Sequence, residues 1–257
     1  MLLAVDIGNT HTVLGVFEGQ RLVDSWRLKT DARDTADELA LVYRGLLADV
    51  GVSAIAACST VPSVLREVRS MFARYYRDVP AVIVEPGVRT GVPILIDNPK
   101  EVGADRVMNT LAAFHLFGGP AIVVDFGTST NFDVVSPRGE FLGGALAPGI
   151  ELSLDALAAR GAQLRKVELV RPRSVIGKST VEALQSGMLY GVAGQVDGLV
   201  RRITRELGPP GTRVAVIATG GLAPLVLRES ETLRHHEPDL TLIGLRLVFE
   251  KQTGHRE

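Results

Sequence analysis

The chain has 257 residues, of which 28 are lysine or arginine and 29 are aspartate or glutamate, so its formal net charge is −1. Nucleic-acid binding requires an excess of basic residues to neutralise phosphates, and this balance argues against a nucleic-acid partner. The single cysteine, Cys58, excludes an intramolecular disulfide. The opening apolar run ends at Asp6, which is too early for a signal peptide or a membrane span. We therefore expect a globular cytoplasmic protein with no membrane association.

Two stretches of the chain share one order of elements. Residues 2–28 combine an apolar strand that ends in Asp-x-Gly, a second strand, and a third strand after a tight turn. Residues 121–146 repeat that order, with Asp-x-Gly-Thr after the first strand. One such unit can arise by chance, but two units that each open a half of the chain predict a duplicated α/β lobe. The predicted lobes are residues 1–117 and residues 118–257.

Helix signals follow each repeat. TADE at 35–38 is a capping box in front of a periodic apolar stretch. NPKE at 98–101 offers an N-cap residue, a proline and a glutamate, which predicts a helix over about 99–116. STVE at 179–182 is a further capping box and predicts the start of a long helix.

The turn segment DIGNTHT at 6–12 has the residue types of a phosphate-binding hairpin. Gly8 lacks a side chain, so an anion can approach the backbone N–H groups, and the neighbouring asparagine and threonines add neutral donors. Asp6 is placed to hold a hydrated Mg²⁺ that bridges phosphates. An isolated motif of this kind favours a plain polar turn, whereas a second Asp-x-Gly-Thr at 125–128 favours two hairpins that bind one polyphosphate. Neither a P-loop motif nor GxGxxG occurs.

The segment GADR at 103–106 falls in the first turns of the helix predicted from residue 99. An interior glycine costs a helix about 1 kcal/mol relative to alanine, so Gly103 suggests close approach of another group. The spacing alone favours an exposed ion pair between Asp105 and Arg106, with little energetic consequence. The functional alternative is a general base beside a cation that binds an anionic substrate.

Three further features have both a structural and a functional interpretation. Thr180 is either a residue next to a helix cap or a substrate contact. TGGLA at 219–223 follows a buried strand, and indicates either a helix entry or a flat glycine surface beneath an adenine ring. Cys58 lies in an apolar run, which favours an inert core thiol.

Taken together, these motifs resemble the type III pantothenate kinase family over nearly the whole chain. The segments that carry the resemblance are DIGNTHTVLG, DNPKEVGADR, VVDFGTSTNFD, GGALAPGI, the Ser179-Thr180 helix opening and TGGLA. GADR after DNPKEV is the most specific of them, since the two Asp-x-Gly motifs belong to the wider acetate and sugar kinase/Hsp70/actin superfamily. The resemblance implies two ribonuclease H-like lobes with ATP in the inter-lobe cleft, homodimers, Mg²⁺, and dependence on K⁺ or NH₄⁺.

The resemblance also implies a role for the matched residues of the two hairpins. The residues that resemble the ATP phosphate loop are Asp6, Ile7, Gly8, Asn9, Thr10, His11, Thr12 and Val13. Thr128 resembles a second ATP contact. Asp125 resembles the ligand of the monovalent cation, and Asp6 resembles a magnesium ligand that acts through water.

For the acceptor substrate, pantothenate, the resemblance assigns residues of the GADR segment. The residues that resemble the pantothenate site are Gly103, Ala104, Asp105 and Arg106. Asp105 is then the proton acceptor, and Thr180 is a further substrate contact. The sequence departs from the family pattern at His11 and Asn131, where asparagine and threonine are commoner, and at Ile96, where some members have a substrate-contacting tyrosine.

The implied reaction is ATP-dependent phosphorylation of pantothenate to 4′-phosphopantothenate, the first step of coenzyme A biosynthesis. One alternative is a kinase of the same superfamily that acts on a sugar or another small alcohol, since the phosphate hairpins do not distinguish acceptors. A second alternative is a non-catalytic ATP-binding regulator. All three aspartates of the resemblance are present, Asp6, Asp105 and Asp125. Their presence argues against a protein that has lost catalytic activity.

Overall fold

A computed structural model describes residues 1–160 and 167–254. Contacts between residues divide the chain into two compact units. The first unit comprises Met1–Val92, Asp97–Ala112 and the C-terminal helix, and the second comprises Pro93–Ile96 and Ala113–Asp239. This division differs from the predicted lobes of residues 1–117 and 118–257, because the C-terminal helix packs on the first sheet.

Each repeat opens with three consecutive strands, and helices and two further strands follow them. In chain order they are β1 (Leu2–Ile7), β2 (His11–Glu18), β3 (Arg21–Lys29), α1 (Ala36–Leu46), β4 (Ala54–Ser59), α2 (Pro62–Tyr75), β5 (Ala81–Val84), a 3₁₀ turn (Pro99–Glu101), α3 (Ala104–Phe117), β6 (Ala121–Phe126), β7 (Ser129–Val135), β8 (Phe141–Pro148), α4 (Ile150–Arg160), α5 (Thr180–Leu207), β9 (Ala215–Thr219), α6 (Ala223–Leu227), β10 (His235–His236) and α7 (Leu240–Thr253).

Each unit contains a five-stranded sheet, and the two sheets have the same strand order. The order is β3-β2-β1-β4-β5 in the first unit and β8-β7-β6-β9-β10 in the second. In each sheet the first strand pairs antiparallel with the second strand and parallel with the fourth. The predicted duplication is therefore confirmed. Asp6 and Asp125 occupy equivalent places, as the penultimate residues of β1 and β6.

The two faces of the first sheet carry side chains of different size. Leu3, Val5 and Ile7 alternate along β1 and enter a buried cluster with α1 and α2. The opposite face carries small residues, because Ala4 pairs with Gly15 on one side and with Ala56 on the other. Small side chains leave room for a helix, and α7 contacts β1, β2, β4 and β5.

Helix α7 also packs closely against α3 within the first unit. A Cβ atom at Gly244 would overlap the backbone carbonyl of Met108. The Thr241 hydroxyl donates a hydrogen bond of 2.8 Å to the buried Asn109 side chain. The sequence pattern did not predict α7, since most of its residues are buried and it lacks the single apolar stripe of a surface helix.

Two of the three predicted helix caps form, at Thr35 and Ser179, and the second differs in detail. Thr35 and Glu38 make the complete capping box at the start of α1. At α5 the Ser179 side chain accepts from the backbone N–H of Glu182, at 3.2 Å. The Glu182 carboxylate accepts instead from the backbone N–H of Lys178, at 2.9 Å. In a complete capping box the Glu182 carboxylate would accept from the backbone N–H of Ser179, and here it accepts from the residue before it.

The helix predicted over 99–116 is divided into two elements, which corrects that expectation. The 3₁₀ turn ends at an extended Val102, and α3 begins only at Ala104. The Asn98 side chain makes no cap bond and donates to the Glu101 carboxylate at 2.6 Å. Gly103 therefore precedes the helix and is not an interior helical glycine. Over the described residues, no helix has the length and apolar character needed to cross a bilayer.

Gly244→Ala is expected to destabilise the protein by about 1–3 kcal/mol, because the added methyl group meets backbone that cannot rotate away. Gly194→Ala, in the middle of α5, is the matched control, since nothing lies within 4 Å of its added Cβ. That change is expected to stabilise by about 0.5–1 kcal/mol through helix propensity. Thermal denaturation measures both effects. Equal shifts in Tm for the two variants would contradict the close α7–α3 packing.

Candidate active site

Parallel pairing in the first sheet brings two strand ends together. Asp6 lies opposite Cys58, and Ile7 lies opposite Ser59. Beyond the strand ends, the backbone N–H of Thr60 donates to the carbonyl of Ile7 at 3.0 Å. The carboxyl ends of β1 and β4 therefore form one continuous edge.

The turn between β1 and β2 projects from this edge. The backbone N–H of Gly8 donates to the carbonyl of His11 at 2.9 Å and closes the turn. Asn9, Thr10 and His11 are exposed at its tip. The other predicted loop residues differ in access. Ile7 and Thr12 are buried, whereas Asp6, Gly8 and Val13 are partly exposed. Ile7 can therefore serve a ligand only through its backbone, while the tip offers both N–H groups and side chains.

The residues of the GADR segment surround the start of α3. The carbonyl of Gly103 accepts from the backbone N–H groups of Arg106 and Val107, at 3.2 and 3.3 Å, so Gly103 is the last residue before the helix. Ala104 is the first helical residue, and Asp105 follows in the first turn. A carboxylate in this position is favoured by the helix dipole.

The Asp105 carboxylate is buried on one side. Its Oδ1 atom is inaccessible to solvent and accepts no hydrogen bond. Burial raises the pKa of this carboxyl above its usual value, although the backbone N–H and the charge of Arg106 oppose the shift. Buried carboxylate oxygens without a donor are rare in folded proteins, and a perturbed carboxyl indicates a functional site. The exposed position that the spacing favoured for Asp105 is wrong.

Gly103 makes room for this carboxylate. A Cβ atom at Gly103 would overlap Asp105 Oδ1 and would lie 3.6 Å from the Thr60 methyl group. The close approach that the glycine suggested is therefore an approach by its own neighbour in the chain. The result is that Asp105 folds back toward the end of β4.

Cys58 joins Asp6 and Asp105 into one cluster. Its thiol donates to Asp6 Oδ1 at 3.4 Å. Burial is the largest cause that raises the pKa of Cys58, and the charges of Asp6 and Asp105 raise it further. The sequence identified this residue as a core thiol, and its side chain is fully buried. Its polar contact was missed, because nothing in the apolar run around it signals a neighbouring carboxylate.

The second unit repeats the strand geometry with different residues. Asp125 lies opposite Thr219, where β6 and β9 run parallel. Gly220 follows with φ of +87°, which favours glycine. A Cβ atom there would lie 2.6 Å from Asp125 Oδ1 and 2.7 Å from the Phe126 carbonyl oxygen. Two oxygen atoms therefore converge beside the TGG segment.

The β6–β7 turn is fixed to the start of α4. The backbone N–H of Gly127 donates to the Ser129 carbonyl at 3.0 Å, and that of Gly149 donates to the Thr128 carbonyl at 3.1 Å. The Thr128 side chain is exposed at this turn. Thr180 lies on another element, as the exposed first residue of α5. The structure therefore places Asp125 and Thr128 on one hairpin, with Thr180 apart from it in the chain.

Among residues 1–160 and 167–254 there is no group of three or more His, Cys, Asp or Glu side chains that could hold a metal ion. The protein thus lacks a metal cage built from its own side chains in this part of the chain. Single carboxylates such as Asp6 and Asp125 remain as candidate ligands.

Solved structures with the same fold include an activator and a sugar kinase. A conserved putative Baf family transcriptional activator from Campylobacter jejuni aligns with a TM-score of 0.60 and 16% identity, over 98% of this chain and 100% of that chain. The ROK hexokinase from Thermus thermophilus aligns with a TM-score of 0.50 and 17% identity, over 98% and 99%. At these identities the likeness establishes the fold alone, and it agrees with the predicted two-lobed α/β fold class.

Sequence comparison is more specific than the fold. A type III pantothenate kinase from Frankia alni is 74% identical over 251 residues, which cover 98% of this chain and 99% of that protein. The model of the type III pantothenate kinase family matches residues 2–202. Because this match covers most of the chain and agrees with the full-length relative, the protein belongs to the type III pantothenate kinase family.

Proposed function

We infer that this chain transfers the γ-phosphoryl group of ATP to pantothenate and gives 4′-phosphopantothenate, the first step of coenzyme A biosynthesis. The observation that carries the inference is the buried Asp105 oxygen without a donor, in the segment most specific to the family. In the proposed reaction the primary hydroxyl of pantothenate attacks the γ-phosphorus, its proton passes to Asp105, and ADP leaves. A raised pKa makes Asp105 a stronger base once it is ionised.

The turn at residues 6–12 is proposed to bind the phosphates. Phosphoryl transfer depends mainly on positioning and on neutralisation of charge, which the backbone donors and exposed side chains of this turn support. Magnesium usually binds through one or two carboxylates, with waters and phosphate oxygens completing its shell. One carboxylate, that of Asp6, is enough to meet this requirement when it binds the ion through water. When bound, Mg²⁺ would neutralise charge on the phosphates.

Asp125 is proposed to hold K⁺ or NH₄⁺. Potassium prefers several oxygen ligands, and the Asp125 carboxylate and the Phe126 carbonyl oxygen both pack against Gly220, so two oxygen atoms lie close together at the end of β6. The adjacent Thr128 is proposed as a second ATP contact. The two neighbouring oxygens and the exposed threonine on the same turn support this proposal.

The GADR segment and Thr180 are proposed to bind pantothenate. Arg106 is partly exposed next to Asp105, so its guanidinium can meet the carboxylate of the substrate. Gly103 and Ala104 would contact the substrate through backbone. The family resemblance also motivates a homodimer, which light scattering in solution would test.

A panel of acceptors tests the function directly. Purified protein with Mg-ATP is offered pantothenate, glycerol and common hexoses, and release of ADP is measured. We expect release with pantothenate only. Release with a hexose and none with pantothenate would replace the proposed function with a sugar kinase.

Asp105→Asn is expected to lower kcat by ~10²–10⁴-fold with little change in pantothenate binding, because asparagine keeps the shape of aspartate but cannot accept a proton. Steady-state kinetics measures both quantities. Arg106→Ala is the contrasting variant and is expected to raise KM more than it lowers kcat. An Asp105→Asn enzyme within a few-fold of wild type would remove Asp105 from the mechanism.

The same substitution is expected to raise thermal stability at neutral pH. Because burial raises the pKa of Asp105, the folded state binds its proton more tightly than the unfolded state does. The cost of the buried charge therefore grows as pH rises from the usual aspartate pKa of about 3.9 to the raised pKa of the folded state, and it stays constant above that pKa. The Tm of Asp105→Asn should exceed that of wild type at pH 7.5, with a gap that narrows as the pH is lowered to about 4. A gap of the same size at pH 7.5 and at about pH 4 would contradict a buried charge.

Activity is expected to require K⁺ or NH₄⁺ through Asp125. A carboxylate beside phosphates repels them unless a cation lies between, and Na⁺ is smaller and more costly to dehydrate. Rates in matched K⁺, NH₄⁺ and Na⁺ buffers test this. Asp125→Ala should lose the response to K⁺ and bind ATP more weakly. Equal rates in Na⁺ and K⁺, or unchanged ATP affinity in the variant, would count against the site.

A further inference from the structure

We propose that Cys58 is a positioning residue for phosphoryl transfer, whose S–H group donates to Asp6 and fixes the direction of that carboxylate. The inference deepens the proposed function, because it rests on the role of Asp6 toward magnesium and phosphates. The observation that carries it is the 3.4 Å contact from the thiol to Asp6 Oδ1, made across the register pair of two parallel strands.

The backbone leaves Cys58 little freedom. It lies in β4 between two parallel neighbours, opposite Asp6 on one side and Val84 on the other. On the same face, Ala4 pairs with Ala56 two residues earlier in each strand, and α7 packs on these strands. The thiol is thus held by strands on both sides, and its direction is set by the sheet.

The chemistry of the cluster favours a neutral donor at this position. The thiol faces Asp6 Oδ1 at 3.4 Å, and an S–H group can donate to this carboxylate, whereas a carboxylate or carbonyl oxygen in its place could only accept. A hydrogen bond to an ionised acceptor is stronger than one between neutral groups, which offsets the weakness of sulfur as a donor.

Complete burial excludes other roles for this thiol. Its exposed fraction is 0%, so it cannot meet a substrate or act as a nucleophile in this conformation. A residue that only fills volume would make no use of its proton. A positioning residue depends on that proton, and this difference separates the two explanations experimentally.

The matched pair Cys58→Ser and Cys58→Ala separates the effect of losing the hydrogen-bond donor from the effect of losing side-chain volume. Both replacement side chains are smaller than cysteine, and only serine has a donor, its O–H group. Calorimetry measures binding of a non-hydrolysable ATP analogue with and without Mg²⁺. We expect Cys58→Ala to weaken Mg²⁺-dependent binding by about 10-fold, as loss of a group that orients a metal ligand typically does. Cys58→Ser should stay within about 3-fold of wild type, and binding without Mg²⁺ should be the same in all three proteins.

Infrared spectroscopy gives a readout independent of activity. The chain has one cysteine, so its S–H stretching band belongs to Cys58. The band is expected at lower frequency in wild type than in Asp6→Ala, since donation to a carboxylate weakens the S–H bond. An unchanged band, or equal losses of Mg²⁺-dependent binding in Cys58→Ala and Cys58→Ser, would overturn the proposal. Neither measurement uses pantothenate, so failure of the acceptor assignment is seen separately in the substrate panel.

Discussion

Parallel pairing of the first and fourth strands is the constraint on which both units depend. Strands that run in the same direction end at the same edge of a sheet, so residues distant in sequence meet there. In the first unit this places Asp6 beside Cys58, and in the second it places Asp125 beside Thr219. The antiparallel turn that follows each aspartate then projects from the same edge. One backbone geometry, used twice, thus provides two carboxylates with a turn beside each of them.

The packing of the first unit holds the residues near this edge of the sheet in place. Small residues on one sheet face admit α7, which in turn contacts the backbone of α3 through Gly244. Because α3 is held at Met108 and Asn109, its first turn is held as well, and Asp105 lies in that turn. The structure keeps a carboxylate partly desolvated there at a cost in stability. Such a cost is common where a charged group is needed for chemistry.

The proposed reaction asks little covalent chemistry of the protein. Phosphoryl transfer needs aligned reactants and compensated charge, so rigid placement of a few groups matters more than their number. The carboxylates of the first unit are placed rigidly in this way, since Gly103 leaves room for Asp105 and Cys58 donates to Asp6. The geometry indicates what each of these residues can do.

Local patterns in the sequence determined the succession of strands along each repeat, the Asp-x-Gly turns and the capping box at Thr35, because these depend on residues a few positions apart. The two-lobed fold class and the candidate residues followed from those patterns and from the family resemblance. The tertiary structure alone decided that α3 begins after Gly103, that α7 packs on the first sheet, and that Cys58 contacts a carboxylate. The packing of α7 and the contact of Cys58 depend on residues far apart in the chain, whereas α3 begins after Gly103 because Val102 is extended and Asp105 lies against the glycine. A helix buried nearly all round has no periodic signature, and a thiol in an apolar run gives no sign of the charge across the sheet.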